Sequence, residues 1–258
     1  MQGRSVAWFR KTQHTKAWQQ TPPTSTQQSD HITLSGVHLR RGQHDVLKGL
    51  SLHWHEKKVG LIGNNGSGKS SLIRLLNGLL LPDQGQVEVF GYNTQQQPEV
   101  LPSLVGFIFQ NPDHQLIFPT VAEELAFGCE QLGDSPHTAR EKALNLLSQY
   151  SMQDWANRPV SELSEGQKQK VCILAILIME PKLLVLDEPF SALDLPTRLQ
   201  LMALLEQSDC HLLLISHDFS VYEQFDRLIW LDAGQIRADG QPADVIEVYR
   251  NAVTQERA

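Results

Sequence analysis

Four short apolar runs stand out in the hydrophobic pattern, at residues 59–62, 105–109, 183–186 and 212–215. Each is nearly unbroken rather than alternating, which suits strands covered on both faces, as in a parallel sheet between helices. Residues 32–39 and 50–54 alternate in part and predict an antiparallel piece with one wet face. Every one of the four runs gives way to glycine or polar residues: Gly63, Gln110, Asp187-Glu188 and Ser216-His217. In open α/β sheets the ligand lies beyond the carboxyl ends of the strands, so four polar endings predict one convergent site.

Between the second and third runs, residues 111–180 carry helical signals and no strong strand. Helices are predicted at 121–131, 138–150 and 166–180, the last buried because residues 171–179 are apolar on every side. The economical arrangement is a helical subdomain inserted into an α/β core. Towards the end, residues 228–231, a turn at 232–235 and Ile236 predict a hairpin, followed by a helix at 243–249. Residues 1–30 are rich in Gln, Thr, Ser and Pro, lack any sustained period, and read as a flexible extension ahead of a cassette at 31–258. Two readings of that extension stay open: a solvated tail or mistaken translation start, or a membrane-surface contact through Trp8, Phe9, Arg10, Lys11 and Trp18, which would need a second anchor.

Composition narrows the classes. A chain of 258 residues, 41% hydrophobic and 20% charged, has material for a sizeable core. Its longest dense apolar run stops at Glu180, well short of the ~18 residues of a spanning helix. Cys129, Cys172 and Cys210 form no CxxC pair, which fits a reducing cytosol. The net charge of −7 hides a basic extension, so the remainder is near −10. An acidic body argues against a nucleic-acid partner, because phosphate backbones demand clustered Lys and Arg. It leaves room for a nucleotide, which needs only a local site.

That site has a sequence. Gly63-Asn64-Asn65-Gly66-Ser67-Gly68-Lys69-Ser70 matches GxxxxGK[ST] directly after a predicted strand, and Ser71 continues into a helical stretch. The glycines let successive N–H groups face inward as an anion cradle, and the helix start adds partial positive charge. Lys69 can reach the outer phosphates of ATP, and Ser70 offers a hydroxyl to Mg²⁺. Asp187, ending a buried run, is a second Mg²⁺ ligand, and Glu188 is a candidate base for an attacking water. No guanine-reading NKxD occurs, which disfavours a GTPase.

Other pieces resemble the ATP-binding cassette of ABC transporters, over about residues 32–249. Leu163-Ser164-Glu165-Gly166-Gln167 resembles the LSGGQ signature, Gln110 the Q-loop glutamine, Ser191-Ala192-Leu193-Asp194 the D-loop, and His217 the switch histidine. The resemblance implies an ATPase of α/β class, with a parallel-sheet core, an antiparallel β subdomain and an inserted helical subdomain. It implies a head-to-tail dimer, two ATP molecules each held by the phosphate loop of one subunit and by Ser164, Gly166 and Gln167 of the other, and Asp194 at the interface. It also implies Gln110 beside the metal, His217 on the γ-phosphate and Glu188 polarising the water. Two departures follow. Arg41 stands where the family often carries an adenine-stacking aromatic, and either stacks through its guanidinium or stays solvated. Glu165 replaces a glycine, and is expected to cap the helix start rather than face phosphate.

Residues 109–121, leading to Glu123-Glu124 and Phe127-Gly128, resemble the ATPases of energy-coupling-factor importers for vitamins or for cobalt and nickel. Residues 59–66 and 74–79 look most like the biotin-uptake members. The implied partners are a second ATPase subunit, expected to be an identical copy, a transmembrane coupling protein and a substrate-capture membrane protein, at the cytoplasmic face of the membrane. Nothing in the nucleotide chemistry encodes biotin, because the cargo site belongs to another polypeptide. A soluble non-transport ABC ATPase and a P-loop kinase are the competing classes; the signature residues 163–167 argue against the kinase.

Overall fold

The computed structural model describes residues 29–191 and 193–255, so the sequence expectations for residues 1–28 and Ala192 lie outside it. Two sheets organise the chain. In the first, β1 (Ile32–Arg41) lies between β2 (His44–Trp54) and β4 (Gln84–Val89), with the two-residue β5 (Tyr92–Asn93) beyond, all antiparallel. The second runs β10 (Gln235–Gly240), β9 (Arg227–Asp232), β3 (Lys58–Ile62), β8 (His211–Ile215), β7 (Leu183–Asp187), β6 (Val105–Ile108). Five of its strands are parallel and β10 is an antiparallel edge.

The unbroken apolar runs are explained by where neighbouring side chains go. On β7, Leu184 and Leu186 enter one core while Leu183 and Val185 enter another; on β8, Leu212 and Leu214 divide from Leu213 and Ile215 in the same way. Successive strand residues face opposite sides, so a sheet covered twice has no polar face to write into the sequence. One core lies between this sheet, the antiparallel sheet and α1 (Lys69–Leu76); the four-residue α2 (Leu101–Leu104) adds Leu101 and Leu104 to it. The other packs against α3 (Val121–Gln131), α4 (Pro136–Gln149), α5 (Glu165–Leu177), α6 (Leu195–Glu206) and α7 (Pro242–Gln255).

Differences from the sequence expectation have local causes. Strands β4 and β5 were not expected, because Gln84-Gly85-Gln86 dilutes the pattern; Gly85 is there because a Cβ would stand 2.4 Å from the carbonyl oxygens of Ser35 and Gly36. Helix α6 escaped for the opposite reason: Leu195 and Leu199 are exposed while Leu201, Leu204 and Leu205 are buried, so leucines occupy both faces and blur the stripe. Helix α5 ends at Leu177 rather than 180, since Glu180 takes φ 54° ahead of Pro181 to turn the chain into β7. Helix α7 runs on to Gln255 because Ala252, one turn beyond Tyr249, still packs on the core. Finally, β9 pairs with β10 as a hairpin and also extends the parallel sheet on the far side of β3.

Candidate functional site

The phosphate loop leaves β3 at Gly63, where any Cβ would sit 2.1 Å from the Leu231 carbonyl oxygen and 2.8 Å from Ser67 Oγ. Gly68 is equally constrained, with φ 108° and a would-be Cβ 3.0 Å from Val46 O. The loop is tied down from both sides: Ser67 N–H donates to Asn64 O at 3.1 Å, and Gly234 N–H donates to Ser67 O at 3.0 Å. Lys69 opens α1 and its Nζ donates to Gly63 O at 2.7 Å and Asn64 O at 3.1 Å. Ser70 is exposed beside it, Ser71 half-buried, and Ser67 Oγ is buried without a partner. A buried orphan hydroxyl inside a backbone cradle suits an oxygen-rich anion.

Burial makes charge costly in this place. Burial pushes the Lys69 ammonium below its ordinary range, although Glu188 and Asp187 pull it back. Burial likewise lifts the Asp187 carboxyl, against the pull of Lys69 and Arg74, and lifts Glu188, against the pull of His217. All three groups therefore lean towards their neutral forms, which is the desolvation effect of a half-closed cleft.

Glu188 departs from the expectation of an extended strand residue. Its backbone is left-handed, φ 52°, with N–H donating to Ile215 O at 3.0 Å. That conformation costs of order 1–3 kcal/mol for a residue with a Cβ and is found where the surroundings over-determine it. It brings Glu188 Oε1 to 3.3 Å from His217 Nε2, while His217 N–H donates to Oε2 at 3.3 Å. The His217 ring stays 64% exposed and free to reach outward. Gln110, two residues past β6, donates from Nε2 to Ser191 Oγ at 3.4 Å. The polar ends of β3, β6, β7 and β8 thus meet on one rim of the sheet.

Ser164 and Gln167 form a reciprocal cap at the start of α5: Gln167 N–H donates to Ser164 Oγ at 3.4 Å and Ser164 N–H to Gln167 Oε1 at 3.0 Å. Glu165 is exposed in the first turn and accepts no bond, so the capping expected of it belongs to its neighbours; its charge adds only a favourable interaction with the helix dipole. Gly166 is required because a Cβ would stand 2.5 Å from Thr197 Cγ2 of α6. Asp194 caps α6 through Thr197 N–H at 2.9 Å, and Thr197, by its side-chain hydroxyl first and its amide second, holds the Asp194 carboxyl below the ordinary range. These residues and Trp155 line a cavity of about 570 Å³ to which no residue of 63–71 contributes. Arg41 is exposed at the end of β1, in the hairpin whose Val46 and Leu47 lie against Gly68.

Residues 47–191 match the family model described as ABC transporter. The chain belongs to the ABC transporter family. Within it, the chain is 43% identical over 218 residues to the biotin transport ATP-binding protein BioM of Rhodobacter capsulatus, covering 84% of this chain and 93% of the relative. It is 39% identical over 207 residues to the energy-coupling factor transporter ATP-binding protein EcfA of Syntrophomonas wolfei, covering 78% and 76%. The structure of cbiO1 from Clostridium perfringens, part of the ABC transporter complex cbiONQ, superposes with a TM-score of 0.75 at 27% identity, covering 84% of this chain and 90% of that one. This ABC protein is an ATPase of energy-coupling-factor type. Among the described residues no helix is long and apolar enough to cross a membrane.

The structure also gives roles that the sequence does not assign. Glu124 of α3 is buried, and its Oε2 accepts from Ile117 N–H and Phe118 N–H, both at 2.8 Å. Lys168 of α5 donates to Asp113 at 2.6 Å, so the stretch after Gln110 is pinned to two helices of the inserted subdomain. Only its neighbourhood distinguishes Glu124 from any helix-start acid, and the doublet Glu123-Glu124 concealed which of the two faced inward: Glu123 makes the Thr120 capping box. Burial lifts the Glu124 carboxyl although both amides pull it down. A raised folded-state value means that the folded protein holds this proton longer than the unfolded chain does, so stability falls as pH rises from the ordinary carboxylate value to the raised one. Glu124→Gln keeps an amide-accepting oxygen and removes that titration. Its melting temperature relative to wild type is expected to climb as pH rises from about 4 and then level off, in thermal melts run to about pH 8. A constant difference would show that Glu124 does not titrate in this way.

Proposed function

We propose that this ATPase energises an energy-coupling-factor importer, with biotin as its cargo, from the cytoplasmic face of the membrane. The observation that carries the mechanism is the separation of the two nucleotide-binding surfaces: the phosphate loop is on one rim, and Ser164, Gly166, Gln167 and Asp194 line another cavity with no loop residue in it. A second copy turned head to tail supplies the missing half. ATP binds at residues 63–71 of one protomer, and its γ-phosphate meets the α5 start of the other, where Ser164 and the backbone at Gly166 offer donors. Arg41 covers the base from the β1–β2 hairpin. Arg41→Ala is then expected to raise the nucleotide Kd about threefold, read by fluorescent-nucleotide titration, and an unchanged affinity would return Arg41 to solvent.

Mg²⁺ is an ion held by one or two carboxylates together with substrate phosphates. Ser70, Asp187 and Gln110 are the residues that would hold Mg²⁺, which would supply neutralisation of phosphate charge when bound. Lys69 leaves its carbonyl partners for the outer phosphates. Glu188, beside His217, orients the attacking water while His217 steadies the γ-phosphate. Hydrolysis removes the contact that both protomers share, and the pair opens.

The cargo reading is supported by the 43% identity to a protein named for biotin transport, and the membrane partners are a transmembrane coupling protein and a substrate-capture protein. Membranes carrying this chain with its copurifying integral partners should accumulate labelled biotin in an ATP-dependent manner. Uptake of cobalt or nickel instead would leave the ATPase reading intact and overturn the cargo. A full-speed ATPase that copurifies with no membrane protein would favour a soluble ABC ATPase.

A further inference from the structure

Helix α7 touches both elements that handle the phosphates. Tyr249 donates from its hydroxyl to Asn64 Oδ1 at 3.2 Å, in the first turn of the phosphate loop. Asn64 is a pivotal residue of that turn: its carbonyl receives both Ser67 N–H and Lys69 Nζ. The Tyr249 ring stands edge-on to Trp230 of β9, centroids 5.2 Å apart, and edge-on to Phe219, 5.6 Å away. Phe219 follows His217 by two residues and begins the short 3-10 turn at Phe219–Tyr222. The next residue of α7, Arg250, lays its guanidinium over the Phe219 ring at 5.7 Å. The same turn is held from α6 by the Arg198–Asp218 ion pair. One helical step, Tyr249-Arg250, therefore grips the loop through Asn64 and the His217 segment through Phe219.

We infer that Tyr249 and Arg250 are positioning residues, which brace the phosphate loop against the turn bearing His217 so that nucleotide binding and γ-phosphate contact are set from one rigid helix. The physical basis is division of labour. The Tyr249 hydroxyl acts on the loop alone, since it has no partner in the 219–222 turn. The Arg250 guanidinium acts on the turn alone, since it stacks on Phe219 and makes no contact with residues 63–71 among its described hydrogen bonds and ion pairs. The ring of Tyr249 links the two.

The brace predicts a crossed result in the full-length protein. Tyr249→Phe keeps both ring contacts and loses one hydrogen bond, so the Kd for ATP and for ADP should rise by about twofold to tenfold with turnover nearly unchanged. Arg250→Ala should leave Kd nearly unchanged and lower kcat by about twofold to fivefold, the loss of one exposed cation–π contact. A purely structural role would lower the melting temperature of both variants and move neither constant in the folded fraction. The inference about Arg250 rests on His217 contacting the γ-phosphate, so His217→Ala is measured in parallel. Unchanged nucleotide affinity in Tyr249→Phe overturns the loop half of the brace. Normal turnover in Arg250→Ala, with His217→Ala inactive, overturns the switch half. Normal turnover in His217→Ala overturns the role given to the histidine, and the switch half with it.

Discussion

Lys69→Ala is expected to raise the Kd for ATP about a hundredfold or more, so that binding is lost at concentrations near the wild-type Kd. The ammonium already directs its donors into the loop, at Gly63 O and Asn64 O, and burial lowers its pKa from the ordinary range. A triphosphate entering the cradle replaces neutral carbonyl partners with anionic oxygens. Hydrogen bonds to charged groups contribute about 1.5–3 kcal/mol each, roughly twice the neutral kind, so losing two of them reaches about a hundredfold or more in affinity. Isothermal titration or fluorescent-nucleotide binding reads this directly. An alanine variant with a Kd within about twofold of wild type would mean that the backbone amides alone hold the phosphates.

Glu188→Gln separates binding from turnover. The amide keeps the shape and still accepts from His217 N–H, so the loop, the helix starts and the affinity for ATP should be preserved. What disappears is the carboxylate that orients water, a contribution of about 10²- to 10⁴-fold in rate. With hydrolysis that slow, the ATP-loaded pair accumulates, and light scattering on the variant with ATP should report twice the mass seen without nucleotide. Hydrolysis at the wild-type rate would remove Glu188 as the base, and a variant that stays monomeric at saturating ATP would remove the nucleotide as the joint between copies.

How much of this was legible in the sequence depends on whether the signal was local. The run into Gly63 and the spacing through Ser70 state their own geometry, because a backbone that must curl around phosphate leaves glycines at fixed offsets. The buried strands were legible because a sheet covered on both faces has nothing but apolar residues to show, as Leu183 to Leu186 do. Helix α6 was not legible, since Leu195 and Leu199 point away from the core and erase the periodicity on which a helix is recognised. The cap at Ser164 is half legible: the spacing to Gln167 encodes the capping box, while Glu165, the unusual residue, lies in the first turn and takes no part in it. Glu124 and Tyr249 were illegible for another reason. Tyr249 acts on Asn64 across 185 positions, and Glu124 on the nearby amides of Ile117 and Phe118 through a loop whose course only the folded chain shows.

The left-handed turn at Glu188 carries a cost that outlasts any single catalytic cycle. An asparagine or glycine would sit more easily on that backbone, and either would strip the cleft of the group that readies water for attack. Selection for hardiness and selection for work therefore pull this codon in opposite directions, and lineages bred only to survive heat would be apt to drift into idleness here.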